Sequence, residues 1–324
     1  MNRRTFTVGL AVVAALGVTA CGPQGGSGGS AEEYPTKNVE LIVGFAAGGH
    51  NDATARKFAE GLERELGRKV LVVNREGGGG AIASTEAANA SADGYSLLFA
   101  PTGAFTSSML QQDVSYEIDD FRSIQPVAEN TFVVAVPANS PLEKFEDLQS
   151  ADGRLTYSAF GKGHPTHLIG AGILKDYGLD GEVVAYNGSP PALQAIVNGD
   201  VDFGIQDITS ALPRIKSGEI RALAVTTDYV PEVLGDVPSI KEYGMSDYLF
   251  AGSQALVVQK DAPQEVVDAL TEASTAAVES DDFIKFVEDS GGIIPDVGGE
   301  AWFGDYMPKE LERFRTLYSE LGIQ

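Results

Sequence analysis

Short apolar runs alternating with longer amphipathic segments restrict the fold of this chain more than any other feature. Val39 to Phe45 reads as a strand, Asp52 to Leu66 as a helix, Lys69 to Val73 as a strand, Ala81 to Ala90 as a helix and Tyr95 to Ala100 as a strand. Right-handed crossovers in such a βαβαβ order give a parallel sheet covered by helices. A second series of strands follows at Val133 to Val136, Leu155 to Ser158, Glu182 to Ala185, Asp202 to Ile205 and Ile220 to Thr226. Helices are predicted among them at Thr166 to Tyr177, Pro190 to Asn198 and Ser210 to Ser217. After a strand at Phe250 to Gln259, the chain ends in helices at Gln264 to Glu279, Asp281 to Asp289 and Gly299 to Leu321. About 290 folded residues exceed one typical core, which predicts an α/β protein of two lobes. No Pro- or Ser-rich linker separates the two series, so hinge strands are expected near Gln125 to Phe132 and Tyr248 to Ser253, with residues 34–130 and 250–324 in one lobe and 131–249 in the other.

The N-terminus carries its own information. Arg3 and Arg4 precede an apolar stretch from Val8 to Ala20, and Cys21, the single cysteine, follows small residues. This is the layout of a secretory signal, and the stretch is shorter than the roughly 18 apolar residues of a spanning helix. It resembles a bacterial lipoprotein signal, which implies removal of residues 1–20, a lipid on the Cys21 sulfur and an extracytoplasmic, membrane-anchored protein. The arginine pair leaves the export route open between the general and twin-arginine systems. Gly22 to Ser30 is nearly all glycine and serine, a flexible tether that places the folded part from about Tyr34. Without Arg3 and Arg4, 21 of the 23 basic residues remain against 46 acidic ones, a formal charge of −25. Nucleic acid and anionic membrane surfaces are poor partners for such a chain.

In open α/β sheets the ligand sits beyond the carboxyl ends of the strands. Glycine-rich loops fall there. Gly44-Phe45-Ala46-Ala47-Gly48-Gly49-His50-Asn51-Asp52 runs from a strand into a helix, with Asn51 placed to cap it. Exposed amides at that helix start suit a carboxylate or phosphate. Gly161-Lys162-Gly163-His164-Pro165-Thr166-His167 has the same design, and Pro165 fits a first helical turn. Asn74 to Gly80 and Tyr186-Asn187-Gly188-Ser189 are two further glycine corners after predicted strands. Four such loops pointing one way describe a cleft.

All three histidines, His50, His164 and His167, lie in the two main loops. A metal site completed by Asp52 or Asp207 is conceivable, but Pro165 separates His164 from His167 and no H-E-x-x-H pattern exists, so hydrogen-bonding neutral imidazoles are the expectation and no metal is predicted. Gly25-Gly26-Ser27-Gly28-Gly29 matches the G-x-S-x-G pattern of hydrolases but lacks the flanking strand and helix. With no cysteine nucleophile either, an exported hydrolase or metalloenzyme is disfavoured and no catalysis is predicted.

The order of motifs resembles the tripartite tricarboxylate transporter substrate-binding proteins, or Bug receptors. The resemblance runs through Tyr34-Pro35-Thr36-Lys37, Phe45-Ala46-Ala47-Gly48-Gly49 with Asp52, Asn74-Arg75, Asp93-Gly94-Tyr95, Gly161 to Leu168, Tyr186-Asn187-Gly188-Ser189, Gly199-Asp200-Val201-Asp202, Ser210-Ala211-Leu212-Pro213 and Arg221 to Thr226. It implies a two-lobed fold of the type II periplasmic-binding-protein kind. It also implies a receptor without cofactor, acting as a monomer, that closes on a small carboxylate and delivers it to a membrane permease; a subunit presenting its ligand to a signalling protein is the alternative. The binding residues it implies are Phe45, Ala46, Gly48, Gly49 and Asp52 from one lobe and Gly163, Thr166, His167, Tyr186 and Gly188 from the other. His50, Asn51, Thr102, His164, Gln206 and Asp207 complete the candidate set. Asp52 is equally suited to capping its helix.

The chain departs from the resemblance where Ala47 replaces proline, His50 and His164 replace small residues, Asn187 replaces lysine and Gln206 replaces aspartate. His50 and His164 are therefore expected to face each other across the cleft and donate to an acidic ligand. With a cationic imidazolium, affinity would rise as pH falls below about 6.5.

Overall fold

The computed structural model describes residues 34–151 and 153–323. The predicted signal, Cys21 and the tether lie outside them. The first half follows the predicted rhythm as β1 (Val39–Val43), α1 (His50–Leu66), β2 (Val70–Asn74), α2 (Ala81–Ala88) and β3 (Ser96–Pro101). In α1 the buried residues Ala55, Phe58, Ala59 and Leu62 recur at helical spacing, and Gly67 at φ 62° ends the helix by donating to the Glu63 carbonyl. A short helix, α3 (Ser107–Gln111), follows β3 where no helix was expected.

β4 (Phe121–Pro137) departs most from expectation. The predicted hinge segment and the strand after it are one extended run of 17 residues. Pro126 cannot donate to a ladder, and the register with β9 (Ala251–Gln259) shifts between Pro126 and Ala128 to accommodate it. The rest comprises β5 (Leu155–Ala159), α4 (Pro165–Tyr177), β6 (Gly181–Ala185), α5 (Ser189–Asn198), β7 (Phe203–Asp207), α6 (Ile208–Lys216) and β8 (Ile220–Val225). β9 then leads to α7 (Gln264–Val278), α8 (Asp281–Asp289), β10 (Gly292–Ile293), and α9 (Gly299–Ala301), which continues through a π-helical turn (Trp302–Tyr306) into α10 (Met307–Leu321).

β1 pairs in parallel with β2 and β3, and β9 lies antiparallel between β3 and β4. Past Thr131 the same β4 enters a second sheet, antiparallel to β7 and β8, with β5 parallel to both β6 and β7. The registers Thr131↔Ala251, Phe132↔Asp207 and Val133↔Val225 locate the crossing. Because β3 ends beside Gln254 and β7 ends beside Phe132, the carboxyl ends of both sets of parallel strands meet at this crossing. Opposed strand ends of this kind leave a crevice, the place where open α/β sheets bind ligands.

Each sheet carries apolar clusters on two faces. Leu41, Phe58, Phe99, Leu256 and Leu270 pack on one face of the first sheet, and Ile42, Leu98, Phe105, Val257 and Trp302 on the other. The second sheet buries Val134, Tyr157, Ile169 and Phe203 on one face and Val133, Ile196, Ile208 and Val225 on the other. The C-terminal helix joins both lobes. Met307 packs with the first lobe, whereas Phe314, Leu317 and Tyr318 belong to the second lobe's cluster, so the expected grouping of 250–324 with the first lobe divides within α10. No helix among the described residues is long and apolar enough to cross a membrane.

Candidate functional site

In the first-lobe loop, Asp52 serves as an internal strut. It is 3% exposed. Its Oδ2 accepts from the Gly48 amide (2.8 Å) and Arg56 Nε (3.0 Å), and its Oδ1 from Asn74 Nδ2 (3.0 Å) and Arg56 Nη2 (2.8 Å). Asn74 Nδ2 also donates to the Phe45 carbonyl at 2.8 Å. Burial alone would raise the Asp52 carboxyl, but these donors together hold it below the usual range. Its acceptor sites are thus spent on shaping the loop. Gly49 is the N-cap of α1, so Asn51 stands inside the helix and does not cap it as expected. The first α1 amide with a backbone partner is that of Ala53, so the His50, Asn51 and Asp52 amides have no partner among the described residues and suit an anion. Phe45 is half-buried and Ala46 exposed at the loop tip, and Thr102 Oγ1 pins the end of β3 by donating to the Ser253 carbonyl (3.1 Å).

The second-lobe loop resembles the first in sequence but not in chemistry. His164 is the N-cap of α4, and its Nδ1 accepts from the Thr166 amide at 3.2 Å. The His167 and Leu168 amides go to the His164 carbonyl, and Pro165 has none. This helix start therefore offers no free amide. Thr166 Oγ1 accepts from the Phe160 amide (3.0 Å), and His167 Nδ1 from the Gly163 amide (2.9 Å). Gly163 at φ 72° passes its carbonyl to the Tyr318 hydroxyl (2.6 Å) and lies against Gln111 of the first lobe. Tyr186 is half-buried, and Gly188 at φ 97° caps α5.

His50 and His164 have different surroundings. The His164 ring packs edge-on to Phe132 (6.1 Å between centroids) and beside Phe160 (5.3 Å). Burial, with His167 beside it, pushes its pKa down to about 3. Burial also pushes His167 down to about 4, and Lys162 adds to that fall. His50 meets Gln254 and Asn130, and burial lowers its pKa against the opposing charge of Asp207. In all three rings burial favours the neutral form, against the expectation of a cationic imidazolium.

The strand register explains what surrounds His50. Ala128 faces Gln254, Asn130 faces Gly252 and Phe132 faces Asp207. Side chains alternate along β4, so Gln254, Asn130 and Asp207 share one face, below the start of α1. Gln206, the neighbour of Asp207, points to the other face, where its Oε1 accepts from Ser189 Oγ at 3.1 Å. Gln254 Nε2 donates to the Gly252 carbonyl (3.0 Å) and stands 3.2 Å from His50 Nε2. His50 Nε2 is thereby the acceptor, and the network assigns its proton to Nδ1. Asp207 Oδ1 caps α6 by accepting from the Ser210 amide at 2.8 Å. Among the described residues, His50 Nδ1, Asn51 Oδ1, Asn130 Oδ1, Gln206 Nε2 and Gln254 Oε1 are buried without a protein hydrogen-bond partner.

Asn130 and Gln254 were not read as site residues from the sequence, although an amide inside an apolar strand run was a usable signal. Two cavities of about 460 and 640 Å³ lie elsewhere, one along Tyr157, Leu174, Gly181 and Leu321, the other along Phe121, Arg122, Val267 and Phe303. His167 lines the first of these. No group of three or more metal-ligating side chains occurs among the described residues.

Comparison with known proteins agrees with this geometry. The model of the tripartite tricarboxylate transporter family receptor matches residues 54–315. The UPF0065 protein in the TAR-I ttuE-ttuC' intergenic region of Agrobacterium vitis is 30% identical over 299 residues, covering 90% of this chain and 86% of that protein. Two solved structures superpose closely. The R. palustris protein Rpa4515 with adipate has a TM-score of 0.84 at 27% identity, covering 90% of this chain and 99% of that one. The periplasmic binding protein BugD has a TM-score of 0.81 at 27% identity, with the same coverage. With opposed strand-end loops, a free helix start and a matching family model, this chain belongs to the tripartite tricarboxylate transporter receptor family of two-lobed solute-binding proteins.

Proposed function

We propose that this protein is a lipid-anchored extracytoplasmic receptor that captures a small carboxylate between its lobes and delivers it to a tripartite tricarboxylate-type permease. One observation carries the reading. Buried polar atoms without protein partners gather where the carboxyl ends of both lobes' strands meet, beside the three free amides of α1. Leaving such groups unmade costs about 1–3 kcal/mol each, and a solute that satisfies them regains it. The R. palustris relative was solved with adipate, which supports a carboxylate-bearing solute. A lipid on Cys21 followed by the Gly22 to Ser30 tether would hold the receptor near its permease at high local concentration.

A thermal-shift screen of the full-length chain against small carboxylates tests the binding reading. A ligand at 100 times its Kd stabilises by about 2.7 kcal/mol. A screen in which no carboxylate raises the melting temperature would reject it. Replacement of Cys21 by serine should move the protein from the membrane to the soluble fraction, and retention at the membrane would reject the lipid anchor.

A further inference from the structure

On the face shared by Asn130, Gln254 and Asp207, free side-chain acceptors outnumber free side-chain donors. Gln254 Oε1 and Asn130 Oδ1 are buried and have no hydrogen-bond partner among the described residues, and these residues are each 2% exposed. The Gly252 carbonyl fixes the Gln254 amide with its oxygen free. Asn130 Nδ2 is turned to Thr209 Oγ1 at 3.4 Å, which leaves its oxygen free too. Asp207 is 5% exposed, spends Oδ1 on the Ser210 amide, and has no donor on Oδ2 among the described residues. No lysine or arginine pairs with Asp207 there, and Arg56, the cation nearest in sequence to His50, is committed to Asp52 and Asn74. Against these three acceptors, the buried unpartnered side-chain donor on the same face among the described residues is His50 Nδ1, with Asn130 beside it.

A dicarboxylate would bring only further acceptors and a second negative charge toward Asp207, and like charges in a buried site oppose each other strongly. An ammonium brings three donors and the opposite charge. We infer that the solute carries an ammonium group besides its carboxylate, with the carboxylate on the free α1 amides and His50 Nδ1, and the ammonium on Asp207, Asn130 and Gln254. The inference rests on the receptor reading above and narrows its ligand class from organic acids to amino acids.

Calorimetric titration of the full-length chain with matched series separates the two claims: aspartate, malate and succinate; alanine, lactate and propionate; phenylalanine, phenyllactate and phenylpropionate. Within each series only one substituent changes, from ammonium to hydroxyl to hydrogen. The expected result is that in at least one series the amino acid binds about tenfold or more tighter than both partners. Asp207→Asn should then weaken that amino acid about tenfold and leave the matched acid no weaker, because asparagine still caps α6. Binding of a hydroxy or unsubstituted acid as tightly as the amino acid overturns the inference and leaves the receptor reading intact. An unchanged preference in D207N overturns the role of Asp207. Failure of every compound to bind at millimolar concentration overturns both readings. The comparison on the unaltered chain stands even if D207N does not fold.

Discussion

His164 holds the start of α4 only while its ring stays unprotonated, because Nδ1 must accept the Thr166 amide. In the unfolded chain a histidine takes up its proton near pH 6.5, and in the fold His164 does so only near pH 3. Between these values the unfolded state binds more protons, so stability is complete above pH 6.5 and is lost as the pH falls toward 3. The full difference is on the order of 5 kcal/mol. His164→Asn keeps a capping side chain without the titration, so its urea midpoint should fall less steeply between pH 6.5 and 4 than that of the unaltered chain. Parallel profiles would show that His164 does not carry the effect. The three histidines and the glycine corners were visible in the sequence because loops announce themselves through glycine. Their roles were not. That Asp52 is used up by Arg56, Gly48 and Asn74, and that His164 closes its own helix start, depends on side-chain directions that no spacing rule supplies. Asn130 and Gln254 stayed hidden because pleat and register, set by the partner strand, decide which face a strand residue occupies.

At the scale of elements, β4 and the loop containing Gly163 organise the seam. The alternation of β1 to β3 with α1 and α2 was legible because each element buries a face with its own period. β4 was read in two pieces, since Pro126 and the polar residues around Asn130 interrupt its apolar pattern while the ladder with β9 shifts register and continues. α3 gave no signal because five residues are too few for a helical period to emerge. Gly163 shows what such tertiary contacts impose. A Cβ there would lie 2.7 Å from Gln111 Cδ and press on the Tyr318 hydroxyl, at φ 72°. Gly188 has φ 97° but open space around the added atom. Gly163→Ala should therefore cost about 2–4 kcal/mol, combining overpacking with left-handed strain. Gly188→Ala, at φ 97° and ψ −176°, should cost about 1–3 kcal/mol from strain alone. Chemical denaturation of the two variants measures the gap, and equal losses would mean that the junction of the loop with α3 and α10 yields without cost.

Over the whole molecule, three segments pass between the lobes: β4 near Thr131, the approach to β9 near Phe250, and the C-terminal helix. Relative movement of the lobes must be absorbed in these segments, as in hinge closure around a ligand. The third was not foreseen, because the amphipathic pattern of α10 says that it packs but not on which lobe. Arg313 fastens it to the second crossing. Its guanidinium lies 4.1 Å from the centre of the Phe250 ring, pairs with Glu310 at 3.1 Å, and donates to the carbonyls of Asp247 (3.0 Å) and Leu249. Charged hydrogen bonds of about 1.5–3 kcal/mol and a cation–π contact of about 0.5–2 kcal/mol set the order of the loss in Arg313→Ala, near 3 kcal/mol. Phe314 meets Phe250 edge-on at 5.2 Å, so removal of the guanidinium over Phe250 loosens α10 from the crossing while the cores on either side stay packed. Without solute, the variant should show a larger radius of gyration by small-angle scattering than the unaltered chain. With a saturating solute the two should converge, because contacts made to both lobes replace the lost fastening. Identical radii without solute, together with a stability loss under about 1 kcal/mol, would place the control of lobe movement in β4 and β9 alone.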